Sequence, residues 1–158
     1  MSLPEGYSLR RASAGDIDTL VAHRRAMFVD MGYQDQTALD TMATNCRTWL
    51  LIKMDCEEYL AWLATAPDGS VVAGTGLWLM DWPPHMIGPG APRGNILNVY
   101  TEPAFRRQGI ARRLMNEALD WCRVNGVRAV ILHASPDGER LYEDLGFKST
   151  NEMRILLD

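Results

Sequence analysis

Hydrophobic positions along this chain change period several times, and each period predicts an element. Ala111, Leu114, Met115, Ala118, Leu119 and Cys122 fall at i, i+3, i+4, i+7, i+8 and i+11. That is one apolar face of a helix that begins near Gly109 and is stopped by Gly126. Ile17, Leu20, Val21, Met27 and Phe28 form another helical stripe behind Ser13-Ala14-Gly15-Asp16, a capping-type start, and it ends around Met31-Gly32. A further helix is predicted over about Gln36 to Glu58, where the stripe is interrupted. Tyr7–Arg11, Tyr59–Thr65, Val71–Met80, Ile96–Thr101 and the β-branched run Val127–His133 read as strands. Pro67-Asp68-Gly69-Ser70 supplies a hairpin turn, and Pro103 stops the fourth strand.

Between Trp82 and Gly94, four prolines and three glycines forbid regular structure and predict a long loop. Pro136-Asp137-Gly138 ends the fifth strand, a short helix covers about Glu139 to Leu145, and Gly146 closes it. Phe147 and the tail Met153 to Leu157 read as final strands. The pattern predicts an α/β (α+β) protein: one domain over 1–158, with a single mixed, mostly antiparallel sheet of about six to seven strands and helices on both faces.

The helix that begins near Gly109 starts in an unusual way. Arg106-Arg107-Gln108-Gly109-Ile110-Ala111-Arg112-Arg113 puts four arginines where the helix macrodipole is already positive, with no acid among them. The arrangement becomes favourable when an anion sits there, held by free backbone N–H groups and guanidinium forks. Gly109 lets the backbone approach that anion closely. The turn therefore predicts a phosphate site.

Composition narrows the ligand. The net charge of -4 argues against a nucleic-acid binder, so the arginines form a basic island suited to a small polyanion. Cys46, Cys56 and Cys122 are odd in number and include no CxxC pair, which predicts neither a disulfide framework nor a metal site. No apolar run approaches the ~18 residues of a membrane span, and the N-terminus carries no secretory pattern, so a cytoplasmic location away from membranes is expected.

Two signatures now stand in order. The strand ending Asn98-Val99-Tyr100-Thr101, then Pro103, then Arg106-Arg107-Gln108-Gly109-Ile110-Ala111, resembles the acyl-CoA motif of the GNAT superfamily of N-acetyltransferases, with Arg106, Gly109 and Ala111 on its fixed positions. Leu141-Tyr142-Glu143-Asp144-Leu145-Gly146-Phe147 is similar to that superfamily's second landmark. Ala111 stands where Gly is common, and Ser135-Pro136 where many relatives carry Asn after the fifth strand.

The resemblance implies that strands 4 and 5 splay apart and that acetyl-CoA is the co-substrate. It further implies that the CoA pyrophosphate lies on the turn made by Arg106, Arg107, Gln108, Gly109, Ile110, Ala111 and Arg112, and that the pantetheine arm pairs with Val99, Tyr100 and Thr101. A Rossmann dinucleotide site ranks below this reading, because the second and third glycines and the acid ending the next strand are missing.

The implied reaction moves acetyl from acetyl-CoA to a primary amine by direct attack. Tyr142 sits where relatives carry the tyrosine that protonates the leaving thiolate, and His133 is the expected proton acceptor. Asp81 and Glu102 are acidic alternatives. The alternative function is a catalytically silent acyl-CoA sensor on the same scaffold. The acceptor is expected to be a small-molecule or peptide amine, with specificity in Phe28–Thr37 and Asp81–Gly94. Phe28, Tyr33, Trp78 and Trp82 are candidates to frame its pocket, and Asp30, Asp35 and Asp81 hint at a cationic acceptor. A homodimer is a family-level expectation.

Overall fold

The run Tyr59-Leu60-Ala61-Trp62-Leu63-Ala64-Thr65 carries apolar residues in both alternating sets, so as a strand it needs cover on both faces. The computed structural model, which describes residues 2–157, has that arrangement. The sheet contains β1 (Ser8–Arg11), β2 (Tyr59–Thr65), β3 (Val71–Met80), β4 (Arg93–Thr101) and β5 (Val130–Leu132) in simple spatial sequence. The first four are antiparallel neighbours, and β5 joins β4 in parallel. On one face lie α1 (Ile17–Asp30) and α2 (Gln36–Asp55), and on the other α3 (Ile110–Val124). A short α4 (Glu139–Asp144) follows β5.

The two faces of β2 divide as its alternation requires. Leu60, Trp62 and Ala64 pack with Ile110, Leu114, Met115 and Ala118 of α3. Tyr59, Ala61 and Leu63 pack with Leu20 of α1 and Leu50 of α2. Leu50, Leu63, Leu77 and Leu114 are completely buried, each worth about 1.5–3 kcal/mol relative to exposure. Local chemistry fixes the helix starts. Asp16 accepts both guanidinium nitrogens of Arg10 and the Ser13 N–H, and these bonds, Arg10 foremost, hold its carboxyl at about 2. Asp35 caps α2 by accepting the Ala38 N–H at 3.0 Å.

The sheet differs from expectation at its edges. β4 begins at Arg93, because residues 93–95 already pair with β3, and β5 is limited to three residues. Five strands form among the described residues, fewer than the six to seven expected. Neither Phe147 nor Met153–Leu157 is a strand. Alternation makes a strand only where a neighbour supplies hydrogen bonds, and 148–157 pairs with no edge, leaving Met153, Ile155, Leu156 and Leu157 exposed. No helix among the described residues is long and apolar enough to cross a membrane.

The helices on the α1 face enclose one titratable group. His23 is 6 % exposed, its ring 5.1 Å from that of Tyr100, and its Nδ1 has no hydrogen-bond partner. Burial pushes this imidazole down to about 4. An unfolded His titrates near ~6.5, so below that pH the unfolded chain binds the extra proton and the folded chain does not. His23 should therefore cost nothing above pH ~6.5 and remove up to about 3 kcal/mol of stability as pH falls towards 4. Urea denaturation across that range checks it: His23→Leu should lose this part of the slope, and an unchanged slope would refute the assignment.

Candidate active site

One cleft gathers the residues expected to meet the co-substrate and to carry the proton steps through Tyr142 and His133: Val99, Tyr100 and Thr101, the turn Arg106 to Arg112, His133 and Tyr142. Its floor is the place where β4 and β5 part. Their ladder runs only from Gly94↔Val130 to Ile96↔Leu132, so the rest of β4 has an open edge. That free edge leads to a short 3-10 turn at Pro103–Phe105 and then to the start of α3.

The turn is built to present backbone donors. Arg107 and Gly109 both adopt left-handed backbone, with φ of 63° and 80°. The first internal bond of α3 is Arg113 N–H to the Gly109 carbonyl. The N–H groups from Arg107 through Arg112 find no acceptor among the described residues, and they converge where the helix dipole is positive. Unpaired N–H groups at a helix start are the kind of arrangement that attracts an anion.

The arginine side chains are arranged differently from the expected forks. Arg106 is paired with Asp30 of α1 and donates its Nε–H to the Thr101 carbonyl at 2.8 Å. Arg112 reaches Asp144 of α4 at 2.7 Å, and Arg113 holds Glu117. Of the four, only Arg107 lacks a carboxylate partner among the described residues. Arg106 and Arg112 thus tie α1 and α4 to the turn, while its backbone amides stay unpaired.

Above the turn, β4 carries a bulge. Gly74↔Tyr100 is followed by Gly76↔Leu97, so Thr75 alone opposes both Asn98 and Val99. Asn98 has φ 57°, a left-handed conformation that Asn tolerates better than most residues. Strict alternation from Ile96 would send Asn98 towards α3; the bulge turns it to the α1 face. There its Nδ2–H donates to the Tyr59 hydroxyl at 2.8 Å, and its Oδ1 accepts from Arg24 Nη1 at 2.6 Å. Tyr59 reaches across β3 only because Gly76 has no side chain: a Cβ there would lie 2.9 Å from Tyr59 Cε2 and closer still to its phenolic end. Burial raises the Tyr59 phenol to a value well above its usual range.

Tyr142 lies on α4, buried beside Gly138 and edge-on to Phe147, with burial raising its phenol. Its hydroxyl makes no hydrogen bond to any described residue and opens into the cleft. His133 follows β5 at the cleft rim, its side chain 73 % exposed and 3.7 Å from Glu152.

The acceptor side of the cleft is formed by α1 and α2. Phe28, Tyr33 and Trp78 line it as expected, together with Met27, Met42, Cys46 and Trp49. Trp82 does not: Arg93 stacks on its indole at 3.7 Å, and it borders a separate small depression with Arg128. Asp81, Glu102 and the 81–94 loop also lie off the cleft, because β4 starts early and carries that loop to the opposite end of the strand. Asp30 and Asp35 are occupied by Arg106 and by the α2 cap, so neither stands free for a cation. The sequence reading missed Arg24, Asn98 and Tyr59. Arg24 does carry a signal, a charge at i+4 from Leu20 and i−4 from Phe28, inside the stripe facing the sheet.

Residues 19–147 match the acetyltransferase (GNAT) family. A GCN5-related N-acetyltransferase from Ralstonia eutropha JMP134 superposes with a TM-score of 0.89 at 35% identity, covering 96% of this chain and 99% of that one. A mycothiol acetyltransferase from Propionibacterium freudenreichii subsp. shermanii is 28% identical over 149 residues, and this chain spans 44% of its length. The glucosamine 6-phosphate N-acetyltransferase of Trypanosoma brucei brucei is 29% identical over 112 residues, which are 71% of this chain and 68% of that protein.

The crossing of Tyr59 over Gly76 sets up a stability test. Gly76→Ala should cost about 1–3 kcal/mol by forcing the phenol aside. Tyr59→Phe should cost about 1 kcal/mol through the unpaired Asn98 amide. If the two residues interact as described, the double variant measured by urea denaturation loses clearly less than the sum. Strict additivity would show that the ring does not depend on the gap.

Proposed function

The chain belongs to the acetyltransferase (GNAT) family, and from that premise we propose that it transfers an acetyl group from acetyl-CoA to a primary amine by direct attack. The observation that carries the proposal is the open edge of β4 leading into a turn of unpaired N–H groups. An extended arm ending in a pyrophosphate would satisfy both. Acetyl-CoA, when bound, supplies an activated acetyl thioester. The amide N–H groups of Arg107 to Arg112 hold the pyrophosphate, and the exposed β4 edge at Val99, Tyr100 and Thr101 pairs with the pantetheine amides.

The amine nitrogen forms its bond to the carbonyl carbon as the carbon–sulfur bond breaks. An N–H freed at the Asn98–Val99 bulge faces the carbonyl oxygen and stabilises the negative charge developing there. Tyr142 donates its phenolic proton to the departing thiolate. A phenol is protonated at neutral pH, as a donor must be, and this hydroxyl has no hydrogen-bond partner among the described residues. The ammonium proton leaves through water at the rim, where His133 stands as the relay. Direct attack uses no cysteine nucleophile: Cys122 is core, Cys56 lies at the end of α2, and the thiol of Cys46, which does line the cleft, is pushed up by burial, away from the thiolate.

Two variants test the turn and the chemistry separately. Gly109→Glu places a carboxylate in the anion site on a residue with φ 80°, and should weaken acetyl-CoA binding by roughly 100-fold or more in calorimetry on folded protein. Unchanged affinity would overturn the placement of the pyrophosphate. Tyr142→Phe keeps the ring in its packing and removes only the donor. Thiol release from acetyl-CoA over a panel of primary amines should then show kcat reduced by about 10²–10⁴, with KM for acetyl-CoA nearly constant. A wild-type kcat, with chemistry rate-limiting, would make Tyr142 a packing residue.

A further inference from the structure

The wall of the cleft formed by α1 and α2 carries a guanidinium, that of Arg24, with no carboxylate partner among the described residues. Arg24 lies half-buried on α1 among Met27, Phe28, Met42, Trp49 and Trp78, with its guanidinium 5.0 Å above the Phe28 ring. Its neighbours are all paired: Arg25 with Asp40, Arg47 with Asp18, Arg106 with Asp30. Arg24 has no carboxylate within 4.0 Å among the described residues, and its only hydrogen bond there runs from Nη1 to Asn98 Oδ1. A guanidinium carries five donors in a rigid fork, so most of its capacity faces the cleft unused.

We infer that Arg24 binds an anionic group, a carboxylate or a phosphate, carried by the acceptor amine itself. This rests on the acetyl-transfer reading of the cleft. A half-buried cation against aromatic and thioether side chains is poorly solvated, and a fork-shaped anion compensates it better than water does. The bond to Asn98 fixes the guanidinium next to the β4 bulge, which limits the acceptor to a short separation between amine and anion. The same positive charge disfavours a second ammonium in the acceptor and favours the neutral, nucleophilic form of the amine. The acceptor class is thus a compact amino acid or an amino phosphate, in place of the cationic acceptor suggested by Asp30, Asp35 and Asp81.

Two matched pairs of amines distinguish carboxylate from phosphate and both from neither: phenylalanine against phenethylamine, and O-phosphoethanolamine against ethanolamine. In wild-type protein at least one anionic member should exceed its partner in kcat/KM by about 10- to 100-fold. Which pair separates identifies the anion. Arg24→Gln should abolish the separation by raising KM for the anionic member far more than for its neutral partner, and Arg24→Lys should restore part of it. Calorimetric binding of the same four compounds provides a readout independent of turnover. Anionic members that bind wild type and not Arg24→Gln, with no thiol released from any amine, would uphold the anion site and refute acetyl transfer. Acetylation of both members of each pair with equal efficiency would refute the anion site and leave acetyl transfer standing. Discrimination that survives in folded Arg24→Gln, or equal binding of all four compounds, would likewise overturn the role of Arg24.

Discussion

Everything in the cleft depends on one extra residue in β4. The bulge at Asn98–Val99 is where β4 changes from a fully paired strand into one with an open edge, and its left-handed residue is pinned from two sides. Tyr59 reaches it from β2 across the gap at Gly76, and Arg24 reaches it from α1. A buried asparagine that satisfies both its amide and its carbonyl in this way is held in a single orientation, because losing either bond leaves a polar group unpaired at a cost of about 1–3 kcal/mol. The bulge, the parting of the strands and the position of the acceptor wall are therefore one coupled feature.

The sheet around this feature is rigid for a simple reason. β2 and β3 are buried on both faces, and glycines at 74 and 76 let Leu63 and Tyr59 settle against the sheet without lifting the helices. Residues that would be unremarkable in a surface strand become constraints here, since close packing on both sides leaves no direction in which to relax. β5, with three paired residues and an open outer edge, is the opposite case. The cleft thus has one firm wall made by β4 and the α1–α2 pair, and one lighter wall made by β5, α4 and the unpaired tail.

Electrostatics follow the same division of labour. Two of the four arginines at the start of α3, Arg106 and Arg112, are paired with carboxylates from other elements, tying Asp30 of α1 and Asp144 of α4 to the turn. These contacts are partly exposed and each contributes little to stability by itself. Their effect is geometric: they position the helices that frame the turn, and they leave its backbone N–H groups unpaired. Arg24 on α1 and Arg107 in the turn before α3 line the cleft without a carboxylate partner among the described residues.

Much of the fold was legible because periodicity in this chain is strong. The α3 stripe, the doubly apolar β2, the turn at 67–70 and the glycine stops are local signals, and local signals suffice where the pattern has one physical solution. The unusual helix start was legible for the same reason: arginines crowded at a helix N-terminus, with Gly109 among them, are an electrostatic signal carried by adjacent residues. Three things required the tertiary structure. Met153–Leu157 is an apolar-rich tail that reads as a strand but has no edge to join, and local composition says nothing about whether a partner is in place. The arginine side chains were free to be read as anion forks until Asp30 and Asp144, distant in sequence, were seen to occupy two of them. Asn98 reads from period-2 alternation as pointing towards α3, and the bulge, which depends on Gly76 and Tyr59 of other strands, turns it to the opposite face. The sequence determined the helices and the central strands, whose signals are local; the packing between distant elements decided which edges find partners and which side chains remain unpaired at the cleft.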